Sequence, residues 1–222
     1  MKLYYHPAST ACRPVMMLAA EEDIALDYQL VDLFTGQHLK DEYAARNPNC
    51  LVPMLEDSDF KLTESSAILK YLADKTGSAA YPTDLKGRAR VNERMDWFNA
   101  NFYRDFGYGL VYPQLFHKRP REEVQSGTIA WGREKSLNWL KILDQHLLGP
   151  SQPYLCGEQM TIADYFGVEM VTVGELIGCT FQSYPNVERW VARMKRLKSW
   201  PKVHEVADGF AASIKGQTFV TI

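Results

Sequence analysis

The chain has 222 residues, 46% of them hydrophobic, 23% charged and 12% aromatic, a globular composition that excludes a long disordered or collagen-like chain. Its 25 Lys and Arg against 27 Asp and Glu leave a net charge of −2, so composition offers neither a basic nucleic-acid footprint nor an acidic tail. Cys12, Cys50, Cys156 and Cys179 lack CxxC or metal-ligand spacing and the histidines are scattered, so neither a disulfide framework nor a metal site is expected. The start MKLYYHPAST has no basic region before an apolar run, and no apolar stretch reaches about 18 residues. Neither a signal peptide nor a membrane span is expected, and a cytoplasmic location follows as the default. Nucleotide, P-loop, serine-hydrolase and zinc-protease motifs are absent.

In chain order, KLYY (2–5) reads as a strand and HPAST (6–10) as a turn. Residues 12–22 read as a helix with Val15, Leu18 and Ala19 on one face. YQLVD (28–32) predicts a second strand, and 37–45 a short irregular helix. LVPML (51–55) predicts a strand interrupted by proline, and DSDF (57–60) a hairpin turn into a brief fourth strand. Residues 63–75 predict a helix with Ile68, Leu69, Leu72 and Ala73 on its apolar face. The order β-α-β-α-β-β-α predicts a small mixed α/β sheet with helices on both faces.

GSAAYPTD (77–84) is rich in turn residues, and after it the strand signal vanishes. Helical periodicity runs over 86–117 and about 121–148, then from Thr161 to about Ile177, with two further helices over 184–203. Thr161 and Asp164 have the spacing of a capping box, so Asp164 is read as a folding cap. The expected organisation is a first domain over 1–78, a linker over 79–86 and an all-helical domain over 87–222. KRPR (118–121) and RMKRLK (193–198) read as solvated helix faces, and Trp97, Trp131, Trp139 and Trp190 as core.

Three places carry chemistry. Ser9 precedes a helix at the position where a redox protein of this layout has its nucleophilic cysteine, so a dithiol cycle is excluded at this turn. A hydroxyl there can hold a ligand's anion, or simply cap the helix. A cis bond at Val52-Pro53 would free the Val52 backbone to pair with a peptide ligand, while a plain edge-strand proline would not. At Thr63-Glu64-Ser65-Ser66 the helix-start amides and the Ser65 hydroxyl suit a carboxylate and Glu64 an ammonium, together an α-amino acid head group. Capping is the plainer reading.

The segments YYHPASTACRPV (4–15), GQHLKDEYAARNPNCLVPMLED (36–57) and LTESSAILKYLADK (62–75) resemble cytosolic glutathione S-transferases of the theta and delta classes. RARVNERMDW (88–97), VYPQLF (111–116), YLCGEQMTIADY (154–165) and YPNVERWVARM (184–194) extend the resemblance over nearly the whole chain. It implies a thioredoxin-like first domain with a helical bundle behind it, and a two-fold homodimer using glutathione and a hydrophobic electrophile without metal. By position it implies that Ser9 hydrogen-bonds the glutathione thiolate and His38 meets the glycyl carboxylate. Val52, with Pro53 cis, pairs with the cysteinyl unit, and Glu64 with Ser65 holds the γ-glutamyl group. Asn101 is the residue expected to reach the γ-glutamyl group across the dimer, with Asn99, Arg104 and Asp105 as alternatives. The related classes often carry a basic residue at Cys50 or Leu51, and this chain has none, leaving Lys40 or Arg46 as substitutes. Tyr108, Tyr112, Phe116 and Phe210 are expected to line the electrophile pocket, with the tail GQTFVTI (216–222) over it. Two other readings stay open: a non-catalytic binding module, and a thiol-transfer enzyme using Cys12.

Overall fold

A computed structural model describes residues 1–116 and 126–222. Strand β1 (Lys2–Tyr5) runs parallel to β2 (Asp27–Leu30) through helix α1 (Arg13–Glu21). Pro14 sits in the first turn of α1, where its missing N–H costs nothing. A 3-10 turn (Gln37–Leu39) and α2 (Asp41–Ala44) lead to β3 (Met54–Asp57), antiparallel to β1, and β4 (Phe60–Thr63), antiparallel to β3. The sheet order is β2-β1-β3-β4. The third strand begins at Met54, later than the expected 51–55, because Pro53 has no N–H to give the ladder; the Val52-Pro53 bond is cis. Helix α3 (Ser65–Thr76) ends at Gly77, whose φ of 70° is the left-handed conformation that glycine adopts freely.

Alternation along the strands divides the side chains. Leu3 and Leu55 pack with Leu18 of α1 and Ile68, Leu69 and Leu72 of α3 in the main core. Cys12, Val31, Tyr43 and Val52 form a small cluster of their own, against which Tyr4 and Tyr5 pack. Each fully buried leucine contributes about 1.5–3 kcal/mol.

Asp84 starts the helical half by accepting from the Gly87 N–H at the head of α4 (Leu85–Trp97). The rod then continues as a π-helical turn (Phe98–Phe102), α5 (Tyr103–Asp105), a second π-helical turn (Phe106–Val111) and α6 (Tyr112–Leu115). Helix α7 (Ser126–Ile142) ends in a π-helical turn (Leu143–Leu148). Helix α8 (Ile162–Thr172) is followed by a 3-10 turn (Val173–Ile177), α9 (Pro185–Met194) and α10 (Trp200–Ser213). All of α8 is buried, which makes it the axis of the helical half. The rod and α7 meet at two glycines, and a Cβ on Gly132 would stand 2.5 Å from the Gly109 carbonyl carbon.

Asp164 caps α8 as expected. It accepts from the Thr161 N–H and hydroxyl and also reaches the Leu155 N–H and Trp190 Nε1. Two expectations fail. Trp131 is 47% exposed on α7, because the core-facing residues of that helix are Gly132, Ser136 and Leu140. The C-terminal tail does not cover the pocket. Val220 exchanges hydrogen bonds with Gln114 on α6, and Arg133 on α7 donates to the Thr221 carbonyl. KRPR (118–121), and the helix ends expected at 117 and 121, lie outside the described residues.

Candidate active site

A cavity of about 660 Å³ lies between the sheet half and the helical half. One wall carries Ser9, Thr10, His38, Val52, Pro53, Glu64 and Ser65, all from the first 65 residues. The other carries Tyr103, Tyr108, Tyr112, Phe116, Met170 and Phe210.

Each member of the first wall is placed by backbone chemistry. Ser9 sits at the C-terminal side of β1, where its carbonyl accepts from the N–H groups of Cys12 and Arg13 at 3.0 and 3.2 Å. Its side chain makes no cap bond, since Cys12 occupies the N-cap position of α1, so the hydroxyl is not spent on capping. The neighbouring Thr10 and Ala11 N–H groups take no partner among the described residues, and both residues line the cavity. Together these donors face a place for an anion.

Val52 presents a backbone N–H and C=O without partners among the described residues. Around it, Tyr43 Oη and Asn47 Nδ2 both donate to the Leu51 carbonyl at 2.7 Å and fix the loop. Glu64 adopts φ 66° and ψ 113°, a conformation costing of order 1–3 kcal/mol for a residue with a side chain. Its carbonyl starts α3 by accepting from the Ile68 N–H, and its side chain caps nothing. Ser65 is buried beside it, and Asn99 Nδ2 donates to Ser66 Oγ across the domain boundary. His38 lines the cavity with its Nδ1 buried and unpartnered among the described residues. Arg46 is engaged elsewhere, with Tyr4 and Glu56, and neither it nor Lys40 lines the cavity.

The opposite wall is a ladder of rings. Tyr103, Tyr108 and Tyr112 meet edge to face, and the Tyr103 and Tyr112 hydroxyls share a hydrogen bond. Burial pushes both phenols above the usual tyrosine range. Phe210 stacks against Phe34 at 6.4 Å and Phe116 at 6.0 Å, closing the far end. Tyr108, Tyr112, Phe116 and Phe210 therefore share one cavity with Ser9, whereas Asn101 lies outside the lining and Asn99 within it. Thr10, Phe34, Tyr103 and Met170 were not singled out from sequence. Only Thr10, adjacent to Ser9, had a position that could have drawn attention to it.

Residues 1–74 match the family profile described as glutathione S-transferase, N-terminal domain, and residues 115–198 match glutathione S-transferase, C-terminal domain. The chain belongs to the glutathione S-transferase family. It is 33% identical over 212 residues to human glutathione S-transferase theta-1, covering 93% of this chain and 88% of that one. A delta-class glutathione transferase of Nilaparvata lugens superposes with a TM-score of 0.83 at 33% identity, covering 96% of this chain and 98% of that one. Human glutathione transferase theta-2, solved with glutathione and an unknown ligand, gives a TM-score of 0.83 at 28% identity over 100% of this chain and 93% of that one. The first half is thus a thioredoxin-like domain with a four-stranded mixed sheet, the second a helical domain, and the chain is a glutathione transferase with glutathione as cosubstrate. Among the described residues no cluster of side chains could hold a metal and no helix is long and apolar enough to cross a membrane.

Proposed function

We propose that this cavity binds glutathione along its first wall and adds the thiolate to a hydrophobic electrophile held by the second. Ser9 donates its hydroxyl to the sulfur, with the Thr10 and Ala11 N–H groups beside it. The Val52 backbone pairs with the cysteinyl unit as a short added strand. Glu64 receives the γ-glutamyl ammonium, and Ser65 with the first amides of α3 receives its carboxylate. His38 is the donor for the glycyl carboxylate. The domains divide at 1–78 and 87–222, with 79–86 joining them. A two-fold homodimer of a cytoplasmic protein is part of this reading, with Asn101, outside its own chain's cavity, assigned to a second copy's glutathione.

A free thiol has a pKa of about 8.5, so little of it is ionised at neutral pH. Lowering that by about two units takes about 2.7 kcal/mol, within reach of one charged hydrogen bond and a helix terminus. The observation carrying the proposal is that Ser9 lines one cavity with Glu64, Ser65 and a Val52 backbone whose N–H and C=O take no partner among the described residues. Calorimetry with glutathione tests it: the parent binds at millimolar concentrations or tighter, and Glu64→Ala weakens binding by about 1.5–3 kcal/mol. A parent that takes up no glutathione refutes it.

The thiol-transfer alternative rests on Cys12. That thiol is fully buried, and burial pushes it up to about 11, against the Ser9 hydroxyl and the Arg13 charge. A buried, protonated thiol is a poor nucleophile. Cys12 also does not line the cavity.

A further inference from the structure

Behind the Ser9 turn lies a row of three buried ionisable side chains that the proposed chemistry does not use. Arg13, Glu169 and His204 come from α1, α8 and α10, and none is more than 4% exposed. Arg13 Nε donates to Glu169 Oε2 at 2.6 Å, and His204 Nε2 stands 2.8 Å from the other Glu169 oxygen. His204 Nδ1 is 2.9 Å from the Trp200 carbonyl, and its ring stacks on Trp200. Burial opposes the Glu169 charge, yet Arg13 and His204 hold its carboxyl below the usual range.

Such a row is costly. A buried ion pair often adds no stability over well-packed apolar residues, so its presence calls for another role. The second arm of Arg13 supplies one. Nη1 donates to the Ala8 carbonyl at 3.0 Å, one residue before Ser9, while the Arg13 backbone N–H donates to the Ser9 carbonyl. One residue after Ser9, Tyr112 Oη donates to Thr10 Oγ1. The turn is therefore tied on both sides of the reactive hydroxyl, directly to the helical domain through Tyr112 and indirectly through Arg13, which is itself bonded to Glu169.

We propose that Arg13 is a positioning residue for the Ser9 turn, anchored in that role by Glu169 and His204 of the helical domain. The guanidinium fork bridges Glu169 and the Ala8 carbonyl through two separate nitrogens, a spacing that a compact lysine ammonium does not reproduce. The anchor sets where the Ser9 hydroxyl points and so how strongly it favours the thiolate. This rests on the glutathione reading of the cavity.

The test compares the parent with Arg13→Lys, with the milder His204→Gln, and with Asp144→Asn. Asp144 is buried in the helical domain, where it caps α9 at Asn186 and Val187, remote in role from the turn. Two readouts are used: amide hydrogen exchange of the 6–13 segment without ligand, and ionisation of bound glutathione by thiolate absorbance alongside kcat and KM. Arg13→Lys should speed exchange in the turn roughly ten-fold, the scale of one lost charged hydrogen bond. It should also cut kcat at neutral pH by about ten-fold, one unit of thiol pKa, with the glutathione KM within about two-fold. His204→Gln should move both readouts the same way by about three-fold, and stands in if the lysine variant does not fold. Asp144→Asn should lower the Tm and move neither. Unchanged exchange in both anchor variants overturns the proposal, as does an unchanged thiol titration or an equal effect of Asp144→Asn. A parent that binds no glutathione refutes the reading of the cavity instead, and the exchange result still decides the anchor.

Discussion

Tyr112 Oη donates to Thr10 Oγ1 over 3.0 Å, linking the long helical rod to the turn that carries Ser9. Both residues line the cavity, so the aromatic wall and the thiol-binding wall are not independent surfaces. A ligand that moves Tyr112 acts on the residue beside the nucleophile's donor.

Ser9→Ala should leave the fold and most glutathione affinity intact. It should raise the pKa of the bound thiol and cut turnover by roughly one to two orders of magnitude at pH 6.5. The loss should shrink toward pH 9, where free ionisation replaces the missing donor. It should also stay partial, because the Thr10 and Ala11 N–H groups remain. The check is a titration of thiolate absorbance beside the pH–rate profile, and a variant that titrates like the parent contradicts the role of Ser9.

Cys12→Ala should keep transferase turnover within about two-fold, because a thiol held near 11 is not ionised at neutral pH. Thiol reagents should label Cys12 only after unfolding. Mass spectrometry of the labelled native chain gives the answer, and a dead Cys12→Ala with rapid native labelling returns the thiol-transfer reading.

Gly132→Ala should destabilise by about 1–3 kcal/mol, the range for overpacking. The added methyl would stand 2.5 Å from the Gly109 carbonyl carbon and 2.8 Å from the Leu110 nitrogen, backbone atoms that cannot rotate away. Denaturant titration measures it, and an unchanged midpoint would mean the two helices separate at no cost.

Asp164 gives a pH dependence with a definite sign. Burial pushes its carboxyl up to about 6, against four donors that favour the anion. The folded state therefore holds a proton that the unfolded state releases near pH 4. Stability from this group is greatest below pH 4 and falls as pH rises through 6. Asp164→Asn, which never ionises, should lack this slope, so its stability relative to the parent should improve by on the order of 3 kcal/mol between pH 4 and 7. Unfolding free energies at four pH values check it, and parallel curves would contradict it.

Strand and helix order could be read because the main core uses regular spacing. Ile68, Leu69, Leu72 and Ala73 mark one face of α3, and Leu3 marks the buried side of β1. Periodicity missed the two wide turns at Phe98–Phe102 and Phe106–Val111, since one extra residue per turn leaves a run of apolar residues that still looks helical. Trp131 was misplaced because bulk alone suggested burial, whereas the contact on that helix is made by a glycine. Ser9, Val52, Glu64 and Ser65 were legible as one set because each stands at a strand or helix end. Met170, Phe34 and the Arg13–Glu169–His204 row were not, because contacts between distant parts of the chain leave no local signal.

The stacked rings at the far end of the cavity have a consequence for how such a protein changes over time. Phe34, Phe116 and Phe210 come from three separate stretches of chain, and the first two are 65% and 60% exposed. Phe34 and Phe116 also meet His6 and Tyr112, at ring-centroid distances of 4.9 and 5.7 Å, whereas the ring contacts of Phe210 run to those two phenylalanines. A single codon change at Phe210 can widen, narrow or polarise that end of the cavity while the thiol-activating turn keeps its own contacts. The catalyst can therefore acquire a new clientele without relearning its chemistry.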